Sequence, residues 1–314
     1  MNDEPPVLDP RTSAELAHAE IAHLLALAGV PTLAIKGPTV ALWLYPDDTR
    51  SWGDADVWLP PHRMDDAVAA LGGHGFTEVH PGVDHHTSED HAVVLQRPVA
   101  TTGGGEVDLH HRFPGADADP ERVFAVLWGR RERTALGHTP VWVPDRSTRA
   151  LLVVLNSART TGVAQAEEDL RRVVAPDDPG GLPGVDWEDV VDLAVRVGAL
   201  PALRAGLDLD PGGARVVASI PRLGAATASR EWSLRSSGAS RTAVRLAELR
   251  RVPPRERARR LVRWVVPHPA VMRMRDPRTV RGRGALLAGY LRRLGQGARE
   301  LPTALGELRR VRRR

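Results

Sequence analysis

Two aspartates and one lysine are the residues of this sequence whose types and spacing could do chemistry. Residues 34–59 read as a strand, a sharp turn at Lys36, a short helix, a polar loop and a second strand carrying Asp54 and Asp56. Residues two apart on a strand face the same side, so we expect both carboxylates to point one way. Two carboxylates about 4 Å apart near a protein surface repel by roughly 4 kcal/mol. Mg²⁺, which prefers carboxylates together with substrate phosphates, removes that repulsion.

The lysine stands out by composition. The chain has 43 basic residues, and all but Lys36 are arginine. A compact ammonium on a flexible stem suits point contact with a phosphate. Proline is favoured at the first position of a helix, so Pro38 predicts a helix start with Gly37 as its cap. The first amides of that helix, with the hydroxyl of Thr39, would suit a triphosphate.

A third carboxylate follows on another predicted strand. Residues 106–112 alternate in polarity, which places Asp108 and His110 on one face of a strand. In a small sheet Asp108 could reach the same metal cluster as the first two acids. The polar loop before Asp54 adds Arg50 and Gly53.

The elements that must hold these residues predict an α+β fold. An opening helix over 12–28, whose histidines at 18 and 23 we expect to be solvated, precedes a small mixed sheet flanked by helices. From about residue 146 the pattern becomes helical. We therefore predict a sheet domain over 1–145, a helical domain over 146–240 and an arginine-rich helical tail over 241–314.

Composition excludes some kinds of site and partner. Hydrophobic residues make up 42% and charged residues 26% of the 314, as in globular proteins. Without cysteine there are no disulfides or thiolate metal sites. The first residues lack the features of a signal peptide and no apolar run reaches 18 residues, so we expect a cytoplasmic protein.

The charge is unevenly distributed. Residues 241–314 hold 22 arginines and five acidic residues, a net charge of +17, whereas residues 1–240 carry −13. The tail therefore either lies on the acidic body or meets an anionic partner such as RNA or a lipid surface.

The motifs together resemble a bacterial family of nucleotidyltransferases within the DNA polymerase beta-type nucleotidyltransferase superfamily. The resemblance rests on Lys36-Gly37, on Arg50 through Gly53-Asp54-Ala55-Asp56, and on Val107-Asp108-Leu109-His110, and it covers roughly 12–207. The wider superfamily usually has a glycine–serine pair at the helix start, where this chain has Pro38 and Thr39.

The resemblance implies a fold, an activity and a set of site residues. It implies a nucleotidyltransferase domain followed by helices, moving a nucleoside monophosphate from a nucleoside triphosphate such as ATP to a hydroxyl-type acceptor, small molecule, peptide, protein or RNA. The catalytic metal ligands, for two Mg²⁺ or Mn²⁺ ions, would be Asp54, Asp56 and Asp108. The nucleotide would be held by Lys36, Gly37, Thr39, Arg50 and Gly53.

Two other functions remain open at this point. One is a catalytically weak or inactive adaptor of the same fold, whose basic tail, with Trp264 on an amphipathic helix, binds RNA or an anionic membrane. The other is a metal-dependent hydrolase built on histidine and aspartate. Its ligands would come from the polar segment that contains His80, His85, His86 and His91, with Asp84, Glu89 and Asp90 among them.

Overall fold

The computed structural model describes residues 9–46, 49–50, 52–79, 91–97, 105–175, 184–251 and 253–311. By internal contacts the described chain forms two compact units, the first ending at Thr227 and the second beginning at Ala228. The first unit contains the sheets and all the residues predicted to form the site. The division into domains at 145 and 240 stays a prediction.

The first unit is built on a mixed five-stranded sheet in the order β1-β2-β5-β4-β3. Strands β2 and β5 are parallel, and the other neighbours are antiparallel. A separate hairpin pairs β6 with β7. The strands are β1 (Leu33–Ala34), β2 (Ala55–Trp58), β3 (Thr77–Glu78), β4 (Ala92–Gln96), β5 (Glu106–His110), β6 (Arg131–Leu136) and β7 (Thr139–Pro144).

Helices flank this sheet and then continue alone to the end of the first unit. A 3₁₀ turn, Pro61–Arg63, precedes the third of them. They are α1 (Pro10–Leu27), α2 (Gly37–Leu44), α3 (Met64–Gly72), α4 (Pro120–Trp128), α5 (Arg146–Arg159), α6 (Ala164–Val173), α7 (Trp187–Arg196), α8 (Leu200–Leu207), α9 (Pro211–Ser219) and α10 (Pro221–Gly224).

The core on one face of the sheet decides where the acids point. Ala55 and Val57 of β2 pack with Val107 and Leu109 of β5 in a cluster that includes residues of α1 and α3. Because side chains alternate along a strand, the residues between them face the other side. Burial of the apolar set therefore directs the acidic set to the opposite face.

The second unit is entirely helical in its described residues. Its cores include Leu234, Ala243, Ala304 and Leu308, and Trp264 is also buried. The helices are α11 (Arg230–Ser236), α12 (Arg241–Arg251), α13 (Pro254–Val265), α14 (Pro269–Arg275) and α15 (Arg283–Val311), with a 3₁₀ turn at Pro277–Arg281.

The predicted fold class is confirmed: a small mixed sheet flanked by helices precedes helices and an arginine-rich helical end. The helix start at Pro38 is correct to one residue, since α2 begins at Gly37. Among the described residues, no helix has both the length and the apolar character that a membrane span requires.

Candidate functional site

Asp56 and Asp108 are direct neighbours in the sheet. The parallel pairing of β2 with β5 places Asp56 opposite Asp108, and Trp58 opposite His110. Adjacent strands lie about 4.8 Å apart. The pairing therefore brings together the carboxylates of two residues that are 52 positions apart in the sequence. The third acid, Asp54, lies just before β2 and is half-buried.

One oxygen of Asp56 accepts two donors. The Nζ of Lys36 lies 2.5 Å from Asp56 Oδ1, and the Nε2 of His110 lies 2.7 Å from the same oxygen. His110 is fully buried, and burial, followed by the nearby charge of Lys36, lowers its pKa. A neutral His110 therefore holds its proton on Nε2 and donates it to the carboxylate.

The three carboxyl groups differ in their readiness to ionise. Burial alone would raise the pKa of Asp56, but the hydrogen bond from His110 and the charge of Lys36 outweigh it and hold the pKa well below its usual range. Burial, and then the negative charge of Asp56, raises the pKa of Asp108 to about 6. The same two causes raise the pKa of Asp54. The site thus contains one firmly ionised carboxylate beside two that hold protons more readily.

His18 is hydrogen-bonded to the backbone of Asp56, a contact that the sequence did not predict. The side chain was expected to be solvated, and this was wrong: His18 is fully buried. Its Nδ1 donates to the carbonyl of Ala14 at 2.9 Å, and its Nε2 accepts the backbone N–H of Asp56 at 3.1 Å. Burial lowers its pKa, which keeps the ring neutral and Nε2 free to accept. The spacing of histidines along α1 gave no signal, because the contact depends on packing α1 against β2.

The turn at Lys36 has an unusual backbone. Lys36 has φ 54° and ψ −149°, and Gly37 follows with φ 36°. A positive φ costs a residue with a side chain on the order of 1–3 kcal/mol, and such strain concentrates at functional sites. The hydroxyl of Thr39 donates to the carbonyl of Lys36 at 2.7 Å, which fixes the first turn of α2.

Arg50 joins this turn to the helical region. Its Nη1 donates to the carbonyl of Gly37 at 3.2 Å, and its Nε and Nη2 bind the two oxygens of Asp169 at 3.0 Å each. Asp169, on α6, is buried and also accepts from Tyr45 at 2.6 Å and from Gln165 at 3.0 Å. Sequence spacing had given no role to Asp169, since it lies 119 positions from Arg50.

A small open cleft lies beside this network. Four of its lining residues carry charge, three of them positive. Gly53, by contrast, is exposed and is not among the residues that line the cleft. The lining residues are Lys36, Thr39, Val40, Arg50, Arg149, Leu152, Val153, Asn156 and Asp169.

The described residues contain one group with the spacing of metal ligands. Asp56, Asp108 and His110 each offer a ligand atom, all within 4.8 Å of one another. Oδ1 of Asp108 is buried and has no hydrogen-bond partner, an arrangement that a bound cation would satisfy. Asp54 does not belong to this group.

The histidine-rich segment contributes one residue that can be placed. His80, His85 and His86, with Asp84, Glu89 and Asp90, lie outside the described residues. His91 is described, and its ring lies 5.4 Å from that of His110. Burial, and then the charge of Arg159, lowers the pKa of His91 to about 2, so the ring is neutral.

Comparison with known proteins identifies the family. The family model described as "Uncharacterised nucleotidyltransferase" matches residues 11–209, which is more than half of the chain. The chain belongs to this family. The matched residues include every element that positions the site, and the resemblance read from the sequence motifs is confirmed.

Among solved structures, this chain is similar to the crystal structure of an antigenic nucleotidyltransferase-like protein from Paracoccidioides brasiliensis. The two are 15% identical, the match covers 70% of this chain and 93% of that chain, and the TM-score is 0.39. No curated protein matches the sequence.

Proposed function

We propose that this chain is a metal-dependent nucleotidyltransferase that moves a nucleoside monophosphate from a nucleoside triphosphate to a hydroxyl-type acceptor. The observation that carries the proposal is the pairing of Asp56 with Asp108 beside a cleft lined by basic residues. Membership of the family supports it.

The donor set fits a divalent cation. Two carboxylates suit Mg²⁺ or Mn²⁺, and His110 would join them through Nε2 once its proton lies on Nδ1 instead. Asp54, Asp56 and Asp108 would hold the ions, although Asp54 lies outside the group formed by Asp56, Asp108 and His110. When bound, the ions would neutralise charge that develops on the phosphate and pyrophosphate oxygens.

Side chains of the protein would accept the proton and hold the triphosphate. Asp108 would orient the acceptor hydroxyl and accept its proton as the hydroxyl oxygen attacks the α-phosphorus and the bond to pyrophosphate breaks. Lys36, Gly37, Thr39 and Arg50 would hold the triphosphate at the start of α2, where backbone N–H groups and the helix dipole favour anions. Gly53 would leave room for the nucleotide on the exposed side of the loop.

Calorimetry with the four nucleoside triphosphates, with and without Mg²⁺, tests this assignment. We expect at least one of ATP, CTP, GTP and UTP to bind only with the metal, and the double variant Asp54→Asn, Asp56→Asn to lose that binding. Asp65→Asn, an exposed acid on α3, is the matched control and should bind normally. Metal-dependent binding that survives the double variant would show that the site is wrongly assigned.

We propose as a second candidate function that the C-terminal region, residues 241–314, binds the cytoplasmic surface of an anionic membrane. Helix α15 exposes leucines at heptad spacing, each 41–61% accessible: Leu287, Leu291, Leu294, Leu301 and Leu305. Residues 241–314 combine these exposed leucines with a net charge of +17, which suits an anionic lipid surface. RNA would be attracted by the positive charge but would not need the leucines. Trp264, proposed from the sequence as a membrane residue, is buried among helices instead.

Vesicle and turnover assays separate the two functions. The full chain should sediment with phosphatidylglycerol vesicles but not with phosphatidylcholine vesicles, and Leu287→Gln with Leu291→Gln should weaken this binding. Retention of RNA with no vesicle binding would replace the membrane by a nucleic acid. An adaptor would bind vesicles yet release no pyrophosphate with any acceptor, so pyrophosphate release excludes a purely structural role.

A further inference from the structure

The ammonium of Lys36 contacts two of the three side chains that could hold a metal ion. We propose that this ammonium serves as an internal cation that holds Asp56 in the metal-free protein and turns to the triphosphate when a divalent cation binds. The inference rests on the proposed function, since it assigns the metal and the nucleotide to neighbouring places. It makes Lys36 the residue that couples the two binding events.

The contacts of the ammonium define the first of its two positions. Lys36 Nζ lies 2.5 Å from Asp56 Oδ1 and 3.3 Å from His110 Nε2, and those two side chains belong to the one ligand group of the described residues. A Mg²⁺ ion approaches a carboxylate oxygen to about 2.1 Å. An ammonium within hydrogen-bond distance of that oxygen would repel the ion strongly, so we expect Lys36 to leave Asp56 Oδ1 when a metal binds there.

The cleft supplies the second position. Lys36 is one of its lining residues, and the side chain is 24% exposed, so one side of it already faces open space. Arg50 and Arg149 line the same cleft. An anion bound there would attract the released ammonium, which binds a phosphate as a point charge.

The backbone confines this movement to the side chain. Arg50 holds the carbonyl of Gly37, and Thr39 holds the carbonyl of Lys36, so both peptide groups of the strained turn are tied down. The flexible four-carbon stem of lysine can rotate without moving this turn. Arginine has a planar, rigid head that is less suited to alternating between a single carboxylate oxygen and a phosphate.

The side chain of Lys36 can be observed selectively by NMR. Lys36 is the single lysine of the chain, so biosynthetic labelling with [¹³Cε]lysine gives one side-chain NMR signal. Addition of Mg²⁺ to the full chain should shift that signal along a saturating curve. Asp56→Asn, which removes the partner of Lys36, should shift the metal-free signal in the same direction.

Metal affinity supplies an independent readout. Lys36→Met should bind Mn²⁺ alone at least about tenfold more tightly than the wild type, because no ammonium competes for Asp56. Arg149→Met removes a charge from the same cleft without touching Asp56, and it should change Mn²⁺ affinity much less.

The results of these two experiments distinguish the proposed role of Lys36 from the proposed nucleotidyltransferase function. Mg²⁺ binding seen by calorimetry without movement of the lysine signal would overturn the inference and leave the nucleotidyltransferase proposal intact. Equal Mn²⁺ affinities of the Lys36→Met and Arg149→Met variants would also overturn it. If no divalent cation binds, with or without nucleotide, both the role of Lys36 and the nucleotidyltransferase proposal are overturned.

Discussion

Asp169 is the residue whose replacement tests the architecture of the site most directly. Its side chain is 6% exposed and faces Arg50, which is 10% exposed. Tyr45 donates to the same carboxylate, and burial followed by this hydrogen bond raises the pKa of Tyr45 above its usual range. The carboxylate thus balances a buried guanidinium and joins three parts of the first unit.

Asp169→Asn keeps the volume and removes the charge. One carboxylate oxygen becomes an NH₂ group that faces a donor, either the guanidinium of Arg50 or the hydroxyl of Tyr45. Removing one partner of a buried ion pair costs about 3–5 kcal/mol, because the other charge remains buried without compensation. We expect a loss of that size in the free energy of unfolding. The turn that Arg50 holds through Gly37 should also loosen, which would weaken nucleotide binding.

Urea denaturation of the wild type, Asp169→Asn and Glu168→Ala measures this effect. Glu168 neighbours Asp169 on α6 and binds Arg171 and Arg172 at the surface. Exposed ion pairs contribute about 0–1 kcal/mol, so this control should be nearly as stable as the wild type. The double variant Arg50→Met, Asp169→Asn should recover part of the loss, since it removes the unpaired charge. Equal effects of Asp169→Asn and Glu168→Ala would refute the reasoning.

Three further predictions concern the surroundings of the site. Gly37→Ala should lower the free energy of unfolding by about 1–3 kcal/mol in denaturation experiments, because its Cβ would lie 3.2 Å from His18 at a φ of 36°. His18→Leu should cost about 1–3 kcal/mol by leaving the buried N–H of Asp56 unpaired, whereas His23→Leu, at an exposed position of the same helix, should not; equal losses would contradict the assigned hydrogen bond. Hydrogen bonds from neighbouring arginines lower the pKa of Glu168 from 4.5 to about 2, so its contribution to stability, about 0–1 kcal/mol for an exposed ion pair, is present above pH 4.5 and is lost as the pH falls toward 2; the free energy of unfolding of Glu168→Gln should depend on pH less than that of the wild type by no more than this amount over that interval.

Local sequence was enough to predict the pieces of the site. The alternation in residues 54–58 and 106–110 indicates strands with acids on one face, and Gly37-Pro38 predicts a helix start, because both patterns depend on neighbouring residues only. The single lysine among 43 basic residues drew attention to position 36 without any structure. The fold class and the family follow from the same motifs.

Tertiary structure decided how the pieces meet. The register of β2 on β5, which fixes Asp56 opposite Asp108, is set by the apolar residues that both strands bury in one core. The support of Asp56 by His18 and the pairing of Arg50 with Asp169 join residues 38 and 119 positions apart. No local pattern encodes such contacts, because they arise from the packing of whole elements. Sequence thus named the acids and the lysine, and packing placed the ammonium of Lys36 on Asp56.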